Sequence, residues 1–98
     1  MNIYHITKYA TWLDAKNLTS YENESLLKAG FIHCCLFRQI DFVLNNWFVE
    51  KEDLVILKID TDKLISPVVM ENLEGKNELF PHIYGPINTS AIIDEIQN

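Results

Sequence analysis

Positive charge is scarce in this sequence, glycine and cysteine are scarcer still, and each shortage closes a class of function. Lysine and arginine number 8 against 14 aspartates and glutamates, a net charge of −6, and Arg38 is the single arginine. A field of that sign repels a phosphate backbone at long range, which argues against general nucleic-acid binding but leaves room for a local anion site. The three glycines, Gly30, Gly75 and Gly85, are too few for the phosphate-cradling loops of Walker or Rossmann type. The two cysteines, Cys34 and Cys35, are adjacent. Neighbours on a strand point to opposite faces, so an ordinary disulfide between them is disfavoured and no disulfide framework is available. This usage fits a soluble, reducing, cytoplasmic setting. No apolar run approaches the roughly 20 residues that cross a bilayer. The opening MNIYHIT lacks the basic and apolar regions of a signal peptide. Paired zinc-ligand spacings and a G-x-S-x-G elbow are missing too.

What is present suffices for one small domain: 98 residues, 48% of them hydrophobic and 11% aromatic. Alternating patterns predict strands over 2–7, 31–34, 54–60 and 67–71. Apolar residues fall on both faces of 54–60, which predicts a central position in the sheet. Helical spacing predicts helices over 8–16 (Tyr9, Trp12 and Leu13 inward), 23–29 (Leu26 and Leu27 inward) and 36–49, whose stripe runs from Leu36 to Phe48. Gly30 stands where a left-handed helix terminator belongs. Residues 17–21 read as a polar connection and 72–78 as a mobile loop. Pro81 and Pro86 bracket 80–84 and predict an edge or a tight turn. Residues 91–96 are compatible with a last strand or a short helix. Helices separating strands that end in a meander predict a single α+β domain.

All three histidines sit in apolar, strand-like runs, at His5, His33 and His82. Rigid half-buried elements are how proteins hold side chains for binding or chemistry, and imidazole can donate, accept, ligate metal or change charge near neutral pH. Thr7 shares the face of His5. His82 and Tyr84 share another, beside Gly85, which would admit a ligand or another backbone closely. Glu71 closes an apolar run at a predicted cleft rim, where a carboxylate stabilises positive charge or orients a hydroxyl. Gln39 offers an amide early in the long helix. Each has an ordinary alternative: a histidine satisfied by a core carbonyl, a solvated glutamate, a surface glutamine. His33 with Cys35 suggests a thiolate–imidazole pair, against which stands the habit of free cysteines to act as small buried hydrophobes. No metal site is expected.

The order YHIT (4–7), SLLKAGFIHCC (25–35), Gln39, LVILKID (54–60), VVMEN (68–72) and FPHIYGPIN (80–88) resembles the small bacterial family called domain of unknown function 952, over nearly the whole chain. Cys35 stands where that family usually has serine, and Ser20 where it commonly has glycine. At fold level the family is similar to the ADP-ribosyltransferase superfamily, whose curved, split, mostly antiparallel sheet clamps NAD. The resemblance implies two to three helices on such a sheet. It implies that His5 contacts the nicotinamide-side ribose, that His33 contacts a ribose or phosphate, and that Glu71 matches the late catalytic glutamate. YHIT and the helix–glycine–strand–histidine run also resemble the RNA 2′-phosphotransferases, whose several phosphate-gripping arginines have no counterpart beyond Arg38.

These readings together predict a cleft lined by His5, His33, His82 and Tyr84, with Thr7, Gln39 and Gly85 nearby. It would bind a small nucleotide-like ligand, with NAD the cofactor to test and ADP-ribosyl transfer the reaction to test. A non-catalytic binding or regulatory module is the first alternative. A metal- or thiol-dependent hydrolase is the second.

Overall fold

Strand β1 (Asn2–Lys8) places Ile3 in one hydrophobic cluster and Tyr4 and Ile6 in another, because alternate side chains leave opposite faces. Its antiparallel partner β4 (Leu54–Asp60) does the same, with Val55, Leu57 and Ile59 on one side and Leu54 and Ile56 on the other. A strand buried on both faces belongs in the middle of a sheet. β4 accordingly lies between β1 and β8 (Ile92–Gln97), so the last segment is a strand. The computed structural model describes residues 1–72 and 77–97. Most of the polar run 72–78 therefore lies outside the described residues.

The second sheet has the order β3-β6-β5, built from Ile32–His33, Phe80–Ile83 and Val68–Glu71. A bridge between Tyr4 and Cys35, with hydrogen bonds of 2.8 and 2.7 Å, ties the end of β3 to β1. A two-residue pair, β2 (Ser20–Tyr21) with β7 (Ile87–Asn88), completes the strands. Every pairing among the described residues is antiparallel. Helix α1 (Tyr9–Ala15) packs on one face of the first sheet through Trp12 and Ala15, and α3 (Ile40–Trp47) on the other through Val43. Helix α2 (Glu24–Ala29) is capped by Asn23 Oδ1 and ended by Gly30 at φ 85°. The domain is α+β, with mostly antiparallel sheets and three helices. No helix among the described residues is long and apolar enough to cross a membrane.

Four local expectations need correction. Segment 80–83 is the centre of its sheet, not an edge. Pro81 is tolerated there because its carbonyl and its missing N–H share the side facing β3. The carbonyl accepts from Cys34 N, one residue past the end of that strand. Leu27 and Leu13 face solvent, since α1 and α2 are too short to bury a full stripe. The helix over 36–49 starts as a 3₁₀ turn, Phe37–Gln39, before becoming α-helical. Residues 17–21 are not merely a polar connection, because Tyr21 in β2 is fully buried.

Candidate functional site: a cavity between β1, β3, β6 and two helices

A cavity of about 300 Å³ opens where the two sheets meet, and His5, His33 and His82 all line it. Asn23 and Ser25, at the start of α2, add polar groups to its lining. Trp47 and Phe48 from the end of α3 and Phe80 from β6 add aromatic side chains to it. Among the described residues no lysine or arginine lies on this lining.

His5 is 3% exposed and held at both ring nitrogens. Nδ1 lies 2.7 Å from the His33 carbonyl oxygen, which only accepts, so Nδ1 carries the hydrogen and donates. Burial drives the His5 pKa down to about 4, leaving the ring neutral at pH 7 and Nε2 an acceptor. Tyr21 Oη, 2.9 Å away, then donates to Nε2, and Asn23 Nδ2 stands 3.5 Å from it. Thr7 hydrogen-bonds to Tyr21 in turn, while burial pushes the phenol up to about 12. Thr7 thus buttresses the site from behind and does not line the cavity. Ser25 Oγ lies 2.8 Å from Asn23 Oδ1 and 3.0 Å from the Phe31 carbonyl oxygen. It thereby ties the start of α2 to the residue preceding β3.

The other wall is a cross-strand pair. His33 and His82 face each other directly in the β3–β6 register, with ring centroids 5.3 Å apart. Phe31 stacks on His82 at 4.3 Å and 26° and meets His33 edge-on at 4.8 Å. His33 is exposed, whereas His82 is fully buried. Glu71, one diagonal step along β5, accepts from His82 Nδ1 at 2.8 Å and from Tyr84 Oη at 2.5 Å through the same Oε2. Those two donors hold the Glu71 carboxyl below its ordinary range, and Glu71 in turn raises the Tyr84 phenol.

The structure therefore brings His5, His33 and His82 to one cavity, with Cys34 and Cys35 beside them, and keeps Thr7, Gln39, Glu71, Tyr84 and Gly85 off its lining. Glu71 and Tyr84 stand behind His82 and are not on the lining. Gln39 is 1% exposed, no surface residue, and its amide bonds the Leu36 N–H (2.7 Å) and the Leu79 carbonyl (2.8 Å). It fastens the 3₁₀ turn to the chain before β6 and has no access to the cavity. Gly85, at φ 149°, gives room to a side chain instead of a ligand, because a Cβ there would meet Ser66 Oγ at 2.5 Å. Cys34 and Cys35 line the cavity, but burial raises the Cys34 thiol well above its usual value and the Cys35 thiol to about 12. Both stay protonated near neutral pH, which removes the thiolate that a nucleophile needs. Among the described residues no three His, Cys, Asp or Glu side chains are grouped as a metal ion requires.

Sequence reasoning missed Tyr21, Asn23 and Ser25. Their one visible signal is a buried-type aromatic in a polar run, followed at two-residue steps by helix-capping side chains.

A family described as "Protein of unknown function (DUF952)" matches residues 6–95. The crystal structure of protein CC0527 from Caulobacter crescentus superposes with a TM-score of 0.86 at 30% identity, covering 99% of this chain and 85% of that one. The solution NMR structure of the same protein gives a TM-score of 0.82 at 30% identity, over 97% of this chain and 82% of that one. No curated protein matches.

Proposed function

Taking as premise that the chain belongs to the DUF952 family, we propose that its cavity binds a nucleotide-like small molecule, ring first. The observation that carries the reading is the convergence of three strand-borne imidazoles on a cavity that also carries the aromatic side chains Trp47, Phe48 and Phe80. Concave sites with a mostly apolar wall and a few placed polar groups are the usual form of small-molecule pockets. A planar ring would lie among Trp47, Phe48 and Phe80 and turn a polar edge toward His33, Asn23 and Ser25. The split antiparallel sheet is the feature that supports relating this fold to the ADP-ribosyltransferase type.

NAD fits this cavity only in part. An aromatic ring of NAD suits the aromatic side chains, but among the described residues the diphosphate finds no lysine or arginine on the lining. A volume of about 300 Å³ also stands at the low end of the ~300–1,000 Å³ range of small-molecule pockets. The carboxylate that ADP-ribosyl transfer needs at the reacting carbon is not on the lining either, since Glu71 is held by His82 and Tyr84. This last contact favours the second reading, a binding or regulatory module without a reaction.

Thermal unfolding with adenosine, ADP-ribose and NAD tests the binding reading. A ligand at 100 times its Kd adds about 2.7 kcal/mol of stability. At least one of the three should raise Tm, and the rise should shrink in His33→Ala, which removes an exposed ring from the lining. No shift with any of them would reject the reading.

A further inference from the structure

We propose that this cavity selects a neutral nucleoside or heteroaromatic base and gains nothing from a phosphate on it. The inference rests on the ring-binding reading above and specifies its ligand class.

Phosphate sites draw on arginine, lysine or an array of backbone N–H groups. Among the described residues the lining supplies no lysine or arginine. Arg38, the single arginine, is exposed and paired with Glu78, away from the cavity. His5 adds no cation, because its ring is neutral and both nitrogens are engaged by His33 and Tyr21. Behind His82 stands the Glu71 carboxylate, whose charge opposes an entering anion. The protein as a whole carries −6, with the same effect at longer range.

The features that remain recognise an uncharged ring. Trp47 meets Phe42 and Phe80 edge-on at 5.8 and 5.9 Å, yet is 43% exposed, so part of a fixed indole is open to a partner. Base–aromatic stacking uses such a surface and is indifferent to charge elsewhere on the ligand. Beyond their bonds within the protein, Ser25 Oγ keeps lone pairs and Asn23 Nδ2 a second hydrogen, which match the amino, carbonyl and ribose hydroxyl groups of a nucleoside. Such neutral pairings do not depend on ionic strength.

Tryptophan fluorescence of the intact protein provides the test, because Trp47 lines the cavity while Trp12 is buried and donates to Glu95. Adenosine, guanosine, cytidine and uridine are titrated beside their 5′-monophosphates at low and high salt. Trp47→Phe identifies which indole responds. At least one nucleoside should quench Trp47, its monophosphate should bind no more than about threefold tighter, and salt should leave the affinity unchanged. Trp47→Ala should weaken binding by about tenfold, the loss of one stacking surface. A monophosphate that binds more tightly than this, with affinity falling as salt rises, overturns the neutral-ligand inference and leaves ring binding intact. Absence of binding by every compound, checked by calorimetry, overturns both.

Discussion

His5 and His82 are both buried, both sit on strands and both line the same cavity, yet they are held by different kinds of partner. His5 is surrounded by neutral partners, a backbone carbonyl and a phenol, so burial governs it and keeps the ring uncharged. His82 has a carboxylate at Nδ1, itself tied to Tyr84 at the surface. Position in a strand therefore does not decide what a histidine contributes. The partner on the far ring nitrogen does, and that partner comes from another strand in each case.

The largest test of this contrast is on the His5 side. Tyr21→Ala removes a fully buried ring together with the donor to Nε2, and should cost about 3–5 kcal/mol by urea unfolding. A cost below ~1 kcal/mol would mean that Tyr21 does not anchor this wall.

Acid provides the next. The folded His5 pKa lies below its ordinary value, so the unfolded chain takes a proton that the folded one refuses. The stabilisation is present in full above pH ~6.5 and is lost as pH falls toward about 4, to the extent of about 3 kcal/mol. Unfolding free energies of wild type and His5→Gln, compared from pH 7 to 4, should show the variant losing less. Parallel curves would place the acid sensitivity elsewhere.

Tyr21→Phe keeps the ring and removes only its hydroxyl, leaving buried Nε2 without this donor, for a loss of about 1–2 kcal/mol. The smallest effect belongs to the other histidine. Tyr84→Phe takes one donor from Glu71 at an exposed rim, and its urea midpoint should match wild type while the Glu71 carboxyl pKa rises on carbon-detected NMR. A Tyr84→Phe midpoint as low as that of Tyr21→Phe would erase the distinction between the walls.

The sequence made the strand-borne histidines visible because alternation is local and survives without tertiary information. It also exposed Gly30 as a left-handed terminator and 54–60 as a central strand, since both depend on residues near in sequence. Tyr21 was invisible because a two-residue strand has no period to detect, and β2 exists only through β7, some 66 positions later. Gln39 and Gly85 read as ligand groups because their contacts, Leu79 and Ser66, are also distant in the chain. The Glu71–His82 contact had the same obstacle. Both residues stood out separately, and only the β5–β6 register shows that one faces the other and not the ligand.

The central claim is that the three imidazoles share one binding cavity, and histidine side-chain NMR tests it most directly. The chain has three histidines, hence three ring Cε1–H correlations to follow during a nucleoside titration. The account predicts that all three move with one common saturation curve, while the Trp12 indole, buried and bonded to Glu95, stays in place. Movement of His33 alone, or of none, would contradict it.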